Sequence, residues 1–164
     1  MQDFKYYAPT EVVFGKDAEE HLVEMINKYG GKKVLVHYGG HSAERSGLLA
    51  SVREKLNAAG IAFVELGGVK PNPRLTLVNE GIELCRKENV DFILAVGGGS
   101  VIDSSKAIGY GVKYDGDVWD IYARKYVPTE MLPVGVILTI PAAGSEMSDS
   151  SVITKEDGDL KIGY

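Results

Sequence analysis

Short apolar strands alternate with amphipathic helices along most of this chain, and that alternation restricts the fold more than any other feature. Four runs rich in β-branched and apolar residues predict buried strands, at 34–38, 62–66, 92–96 and 134–140. Apolar residues at helical spacing predict helices near 17–29, 48–59, 75–85 and 101–112. Each step from strand to strand is long enough for a right-handed crossover. The sequence therefore predicts an α/β fold, with a parallel sheet and helices on both faces.

The last part of the chain departs from this alternation. Segment 113–132 has mixed polarity and predicts an irregular excursion with one helical turn before the fourth strand. Residues 150–163 carry two short apolar runs around a Gly-containing turn, which predicts a short C-terminal β-hairpin. Because 164 residues suffice for one domain of ordinary size, we expect residues 1–164 to form a single domain.

Charge and cysteine content exclude several classes of protein. A total of 18 Lys and Arg against 23 Asp and Glu gives a net charge of −5, which offers no basic surface to a nucleic acid. No apolar run approaches the roughly 20 residues that cross a bilayer, so we expect no membrane partner. The single cysteine, Cys85, shares a helical stripe with Val78 and Ile82, which indicates a core position. These features favour a cytoplasmic protein.

The most informative motif is Gly97-Gly98-Gly99-Ser100, which follows the third strand and opens a helix. Residues without a Cβ let a phosphate approach the backbone, and the first amides of the helix point at it with the positive end of the helix dipole. The motif favours an anion-binding turn, with Ser100 as helix cap or hydroxyl donor. The alternative is a tight turn in which the glycines only permit the geometry. The motif is neither the GxGxxG fingerprint, because Ile102 replaces the third glycine, nor a P-loop.

Asp103 lies in the first turn of that helix, three residues before Lys106. This spacing allows the two side chains to form an ion pair on the helix. Asp103 can instead accept hydrogen bonds from a hydroxyl or an amide of a ligand. The sequence leaves both interpretations open.

A second glycine turn, Gly39-Gly40-His41-Ser42, follows the first strand and also opens a helix. Ligands bind where the carboxyl ends of parallel strands meet, and two such turns suit an elongated ligand such as a dinucleotide. His41 can contact a ribose phosphate or lie exposed in the turn, whereas we expect His37 to pack within its strand. Residues 138–148 form a third polar segment, which can line a nucleotide but is, taken alone, more typical of an ordinary loop.

Taken together, four segments resemble the iron-dependent (group III) alcohol dehydrogenases, particularly their butanol-dehydrogenase-like branch. They are YGGHS at 38–42, PNPRL at 71–75, GGGSVIDSSKAI at 97–108 and TIPAAGSEMSDSSVIT at 139–154. The resemblance implies a Rossmann-like dinucleotide-binding domain, followed in the family by a helical domain that binds iron or another divalent metal. It also implies hydride transfer between a nicotinamide dinucleotide and a small alcohol or aldehyde.

The resemblance implies cofactor contacts as well. The turn at 97–100 would hold the pyrophosphate, the turn after the first strand would lie beside the adenine ribose, and Asp103 and Lys161 would lie towards the nicotinamide. The implied cofactor-binding residues are Gly39, Gly40, Ser42, Asn72, Gly97, Gly98, Gly99, Ser100, Asp103, Thr139, Ser148 and Lys161. A carboxylate in the turn after the first strand would repel a 2′-phosphate, and the absence of one favours NADP over NAD. At positions 41 and 143 relatives often have glycine and threonine, whereas this chain has His41 and Ala143. These differences leave open whether the cofactor is NAD or NADP.

The family's metal ligands, one aspartate and three histidines, belong to the helical domain, so we expect no metal ligand and no catalytic residue in these 164 residues. The chain should then bind cofactor without turning over substrate. Two other interpretations stay open: a free-standing nucleotide- or phosphate-binding module, and an enzyme similar to dehydroquinate synthase or glycerol dehydrogenase. The resemblance also suggests a homo-oligomer, most simply a dimer, formed through the apolar residues Val12, Val13 and Phe14.

Overall fold

The computed structural model describes residues 3, 5 and 7–164. Its main sheet has four parallel strands in the order β2-β1-β3-β4. They are β1 (Lys33–Tyr38), β2 (Ala62–Leu66), β3 (Phe92–Gly97) and β4 (Val134–Leu138). The predicted strands are confirmed, although β4 ends at Leu138 rather than at Ile140.

Helices occupy the segments between the strands. They are α1 (Leu22–Lys28), which follows a 3₁₀ turn at Ala18–His21, α2 (Ser42–Arg45), α3 (Leu48–Ala58), α4 (Leu75–Glu88), α5 (Gly99–Lys113) and α6 (Trp119–Tyr122). The single turn of α6 is the helical turn expected before β4. The antiparallel strands β5 (Val152–Lys155) and β6 (Leu160–Gly163) form the predicted hairpin. No helix among the described residues is both long and apolar enough to cross a membrane.

The core lies on both faces of the sheet because successive residues of a strand point to opposite sides. On one face Val34 and Val36 of β1 pack with apolar residues of α1 and α3. On the other face Leu35 and Ile93 pack with α4, which carries the buried Cys85, and with α5. The hairpin joins this second layer through the fully buried Ile153. Apolar strands covered by helices on both faces are typical of a parallel sheet, and the predicted α/β fold is confirmed.

The strand order places a topological switch point between β1 and β3. The chain leaves β1 towards β2, returns to β3 on the other side of β1, and continues outward to β4. The segment after β1 leads to the face covered by α3, whereas the segment after β3 leads to the face covered by α5. In such sheets the crevice between the two segments, at the carboxyl ends of the strands, is the usual place for a ligand.

Candidate functional site

The turn between β3 and α5 presents backbone amides at the carboxyl edge of the sheet. Gly98 is the N-cap of α5, and the amides of Val101 and Ile102 donate to its carbonyl oxygen at 3.0 and 3.2 Å. For the amides of Gly99 and Ser100, the described part of the chain supplies no backbone acceptor. These N–H groups lie at the positive end of a helix of 15 residues, an arrangement that binds anions.

The three glycines of this turn have different local surroundings. A Cβ on Gly97 would lie 2.5 Å from Cγ2 of Val101, so a residue without a side chain is needed for α5 to start against β3. A Cβ on Gly98 would meet only Ile140, at 3.8 Å, and one on Gly99 would meet no described atom within 4 Å. The space next to Gly98 and Gly99 is therefore open.

The predicted capping role of Ser100 is wrong. Helix α5 begins at Gly99, with Gly98 as its N-cap, so Ser100 lies inside the first turn of the helix. No side chain caps this helix start. Ser100 is half-buried, and its hydroxyl is a group that can donate to an anion.

The turn after β1 lies next to the first turn of α5. A Cβ on Gly39 would lie 3.8 Å from Cγ2 of Val101, and a Cβ on Gly40 would meet no described atom within 4 Å. The carbonyl of Gly39 accepts a hydrogen bond from the amide of Gly68 at 2.9 Å, which ties this turn to the loop after β2. His41 and Ser42 are exposed at the start of α2. The two glycine turns thus flank the switch point, as the sequence predicts.

The loop after β4 borders the same crevice on its other side. The amide of Thr139 donates to the carbonyl of Gly97 at 3.1 Å, which fixes the start of this loop against the glycine turn. Ile140 is 66% exposed and lies beside Gly98, so it forms an apolar wall next to the open space. The side chains of Thr139 and Ser148 are exposed.

Asp103 and Lys106 do not form the ion pair that their spacing suggests. Both side chains instead bind the segment 145–152, which follows the loop after β4. Asp103 accepts from the hydroxyl of Ser145 at 2.6 Å and from the amide of Val152 at 3.1 Å. Lys106 donates to carbonyl oxygens of the same segment. The interpretation as an ion pair is wrong because donors of this segment bind Asp103 and its carbonyl oxygens bind Lys106, and the segment comes from a distant part of the sequence.

His37 is fully buried below the turn after β1, which confirms that it packs within its strand. Its Nδ1 donates to the carbonyl of Leu66 at 2.7 Å, and its Nε2 accepts from the hydroxyl of Ser104 at 2.8 Å. Burial lowers the pKa of His37 to about 4, against the opposing effect of the Leu66 carbonyl. The neutral imidazole thus joins β1, β2 and α5 beneath the glycine turns.

Asn72 and Lys161 lie on two segments that contact each other. Asn72 is exposed, with a φ of 58°, in the loop between β2 and α4. In that loop the carbonyl of Pro73 accepts from the amide of Thr154 in β5 at 2.8 Å. Thr154 pairs with the exposed Lys161 of β6. The structure shows no direct contact of either side chain with the glycine turns.

The described residues include no group of three or more His, Cys, Asp or Glu side chains that could hold a metal ion. Sequence reasoning missed the binding of Lys106 to the segment 145–152 and the bonding of His37 to Ser104. The sequence signal for the first of these is a lysine in the middle of a helix, between the apolar residues Ile102 and Ile108.

Comparison with known proteins identifies the family. The family model described as iron-containing alcohol dehydrogenase matches residues 9–164. The chain is 52% identical over 164 residues to probable NADH-dependent butanol dehydrogenase 1 of Bacillus subtilis, covering all of this chain and 42% of that protein. It is 36% identical over 160 residues to the NADPH-dependent aldehyde reductase YqhD of Escherichia coli, covering 95% of this chain and 40% of that protein.

Among solved structures, NADH-dependent butanol dehydrogenase A from Thermotoga maritima superposes with a TM-score of 0.96 and 44% identity, covering 99% of this chain and 41% of that one. The chain therefore spans about two fifths of the length of the relatives that it matches. The family match covers the glycine turns, the loop after β4 and the hairpin. The chain belongs to the iron-containing alcohol dehydrogenase family.

Proposed function

We propose that this chain is the dinucleotide-binding part of a dehydrogenase that transfers hydride between a nicotinamide cofactor and a small alcohol or aldehyde. The observation that carries the proposal is the turn at 97–100. It places unpaired amides at the start of α5 beneath an open space, at the switch point of a parallel sheet. A diphosphate is the group that such a turn binds best. The nicotinamide would supply or accept the hydride when it is bound.

The two sides of the crevice suit the two halves of the cofactor. Gly39, Gly40 and Ser42 lie on the β1 side, where the open backbone accommodates an adenosine ribose. Thr139 and Ser148 are exposed residues on the β4 side, towards the nicotinamide. Asn72 and Lys161 would reach the cofactor from the loop after β2 and from the hairpin. The residues of this chain would thus bind and orient the dinucleotide.

The cofactor that we favour is NADP, although both dinucleotides should bind. The turn 39–42 contains no carboxylate that would repel a 2′-phosphate. The relatives are named both as NADH-dependent and as NADPH-dependent proteins. The preference is therefore a matter for direct measurement.

The alcohol or aldehyde and the metal would be bound by a part of the enzyme outside these residues. The matched relatives are more than twice as long as the region that they share with this chain. The metal that the family name implies fits no cluster of side chains among the described residues. We therefore assign to this chain the binding of cofactor, and no catalytic residue.

Titration of the chain with NADPH, NADH and AMP, followed by nicotinamide fluorescence and by competition, tests the proposal. We expect saturable binding of all three, with NADPH the tightest, and no oxidation of NADPH or NADH when butanal is added to the same samples. Indifference to all three ligands would overturn the assignment. Reduction of butanal by the chain alone would place substrate binding and catalysis within these residues, contrary to the proposal.

A further inference from the structure

Helix α5 contributes to the crevice through its later turns as well as through its N-terminus. One and two turns further along, it binds the segment 145–152, which carries Ser148 and leads into the hairpin with Lys161. We propose that Lys106 and Asp103 are positioning residues that fix this segment against α5, and that they thereby determine affinity for the nicotinamide half of the cofactor but not for the adenosine half. This inference rests on the proposed function.

The ammonium group of Lys106 is bound by three backbone carbonyls and, at the longer distances of 3.2 and 3.4 Å, by the hydroxyl oxygens of Ser145 and Ser148. The side chain is 7% exposed, and Nζ donates to the carbonyl oxygens of Ser145, Ser148 and Ser150 at 2.5, 2.7 and 2.8 Å. An ammonium has three donors, so these carbonyls use all of them. Charge-assisted hydrogen bonds of this kind are short and strong, and together they determine the course of the backbone from Ser145 to Ser150.

Asp103 binds the two ends of the same segment. One carboxylate oxygen accepts from the hydroxyl of Ser145 and the other from the amide of Val152. Tyr110, one helical turn beyond Lys106, donates to the carbonyl of Asp149 at 2.6 Å. The segment is thus attached to α5 at successive positions along the helix. Both oxygens of Asp103 thus bond to the segment, and through it the carboxylate would act on the cofactor.

The attachment of segment 145–152 to α5 affects only the β4 side of the crevice. In the sheet, β3 lies between β1 and β4, so the diphosphate-binding turn after β3 has the turn after β1 on one side and the loop after β4 on the other. The glycine turns at 39–40 and 97–99 are formed by the ends of β1 and β3 and make none of the contacts of Lys106. Loosening the segment 145–152 should therefore leave the sites of the adenosine and the diphosphate in place.

The test compares ADP with NADH in the variant Lys106→Met, which keeps the length of the side chain and removes its charge and donors. Isothermal titration should show wild-type binding of ADP, whereas NADH binds about tenfold or more weakly than to the wild type and approaches the affinity of ADP. Lys113→Met is the matched control, since Lys113 is exposed at the other end of the same helix. It should bind both ligands as the wild type does.

A loss of affinity for both ligands in equal proportion, or for neither, would overturn the inference, because a general loss of structure weakens both. If Lys106→Met fails to fold, Ser145→Ala decides the question. It removes the hydroxyl that joins Asp103 to the segment and should produce the same selective loss to a smaller extent. A wild-type chain that binds neither ADP nor NADH would contradict the proposed function itself, which separates the two failures.

Discussion

Gly97 and Gly99 occupy the same turn for different physical reasons. Gly97 is required by the protein's own packing, since any side chain there would overlap Val101. No described atom comes near the position of a side chain on Gly99, so packing alone would accept one. A glycine that packing does not require, next to unpaired amides, supports the proposal that a phosphate binds at this turn.

Single alanine substitutions should separate these two roles. Gly97→Ala should destabilise the fold by about 1–3 kcal/mol through overpacking. Gly99→Ala should change the free energy of unfolding by less than about 0.5 kcal/mol, yet weaken NADPH binding about tenfold, because its methyl group enters the open space. Urea denaturation and fluorescence titration of both variants measure the two effects. Wild-type NADPH affinity in Gly99→Ala would contradict a phosphate at this position.

His37 should make stability depend on pH. In the unfolded chain His37 takes up a proton near its ordinary pKa of 6.5, whereas in the folded chain burial lowers that pKa to about 4. Between about pH 4 and pH 6.5 unfolding therefore takes up a proton. The contribution of the neutral imidazole to the free energy of unfolding is complete above pH 6.5 and decreases as the pH falls to about 4. The shift corresponds to about 3 kcal/mol at most.

Urea denaturation at several pH values, together with an NMR titration of the imidazole, measures this effect. The matched control is His41→Gln, which removes an exposed imidazole and should leave the pH dependence unchanged. A His37 resonance that titrates near pH 6.5 would show that the imidazole is not held neutral by burial.

At the scale of residues, the sequence predicts which positions are buried or lie in turns better than it predicts the hydrogen-bond partners of their side chains. The glycine turns, the buried Cys85 and the buried His37 follow from local pattern, because strands and helices of this period leave few places for them. The partners of Lys106 do not follow, since they lie 39 to 44 residues away in the chain. Local spacing points to Asp103, three residues away, and only the path of the segment 145–152 shows otherwise.

At the scale of the elements, hydrophobic periodicity predicts the positions of the strands and of the long helices. Each strand and long helix is recognisable because one or both of its faces must be buried. The attachment of short elements is not predictable in this way. Helix α2, with four residues, is too short to have a clear periodicity and is held by side chains of other elements.

Arg53 of α3 provides that attachment. Its guanidinium donates to Glu44 of α2 at 3.0 and 3.2 Å and to Glu65 of β2 at 2.9 Å. These hydrogen bonds fix α2, and with it Ser42, beside the first glycine turn. The planar guanidinium can reach both carboxylates at once, which a lysine ammonium at the same place would do poorly.

Arg53→Met should therefore weaken AMP binding several-fold and lower stability by about 1 kcal/mol, the value being small because the carboxylates are partly exposed. Lys55→Met is the control: it lies on the same helix but bonds to Glu20, away from α2. It should leave AMP binding unchanged. Equal effects of the two variants on AMP affinity would show that α2 is not held by Arg53.

At the scale of the whole molecule, the parallel α/β class follows from the alternation of strands and helices, and the family follows from its motifs. The hairpin's docking on α4 and α5 is a long-range contact between segments far apart in the chain, which periodicity does not encode. The structure gives the exposure of the apolar residues that the sequence suggests for contact between subunits. Val12 is 60% exposed and Phe14 is 98% exposed, in a segment without helix or strand.

We propose that this apolar segment mediates self-association, and predict that the chain forms dimers or larger species as its concentration rises. Removing apolar surface from water favours association. Phe14→Ser should shift the equilibrium towards monomer without a change in unfolding free energy, because Phe14 contributes little to the core. Light scattering at several concentrations measures the shift, with Val127→Ser, at an exposed apolar residue in another part of the chain, as the control. A wild-type chain that stays monomeric at every concentration would refute the proposal.

The attachment of segment 145–152 to α5 has a consequence beyond affinity. Any ligand whose binding requires this stretch in place must, by reciprocity, make it harder to detach. Saturation with dinucleotide should then slow amide hydrogen exchange and protease cleavage from Ser145 through β6, while ADP should protect only the two glycine turns. The resistance of this stretch to protease would thus show whether the nicotinamide half of the cofactor is bound.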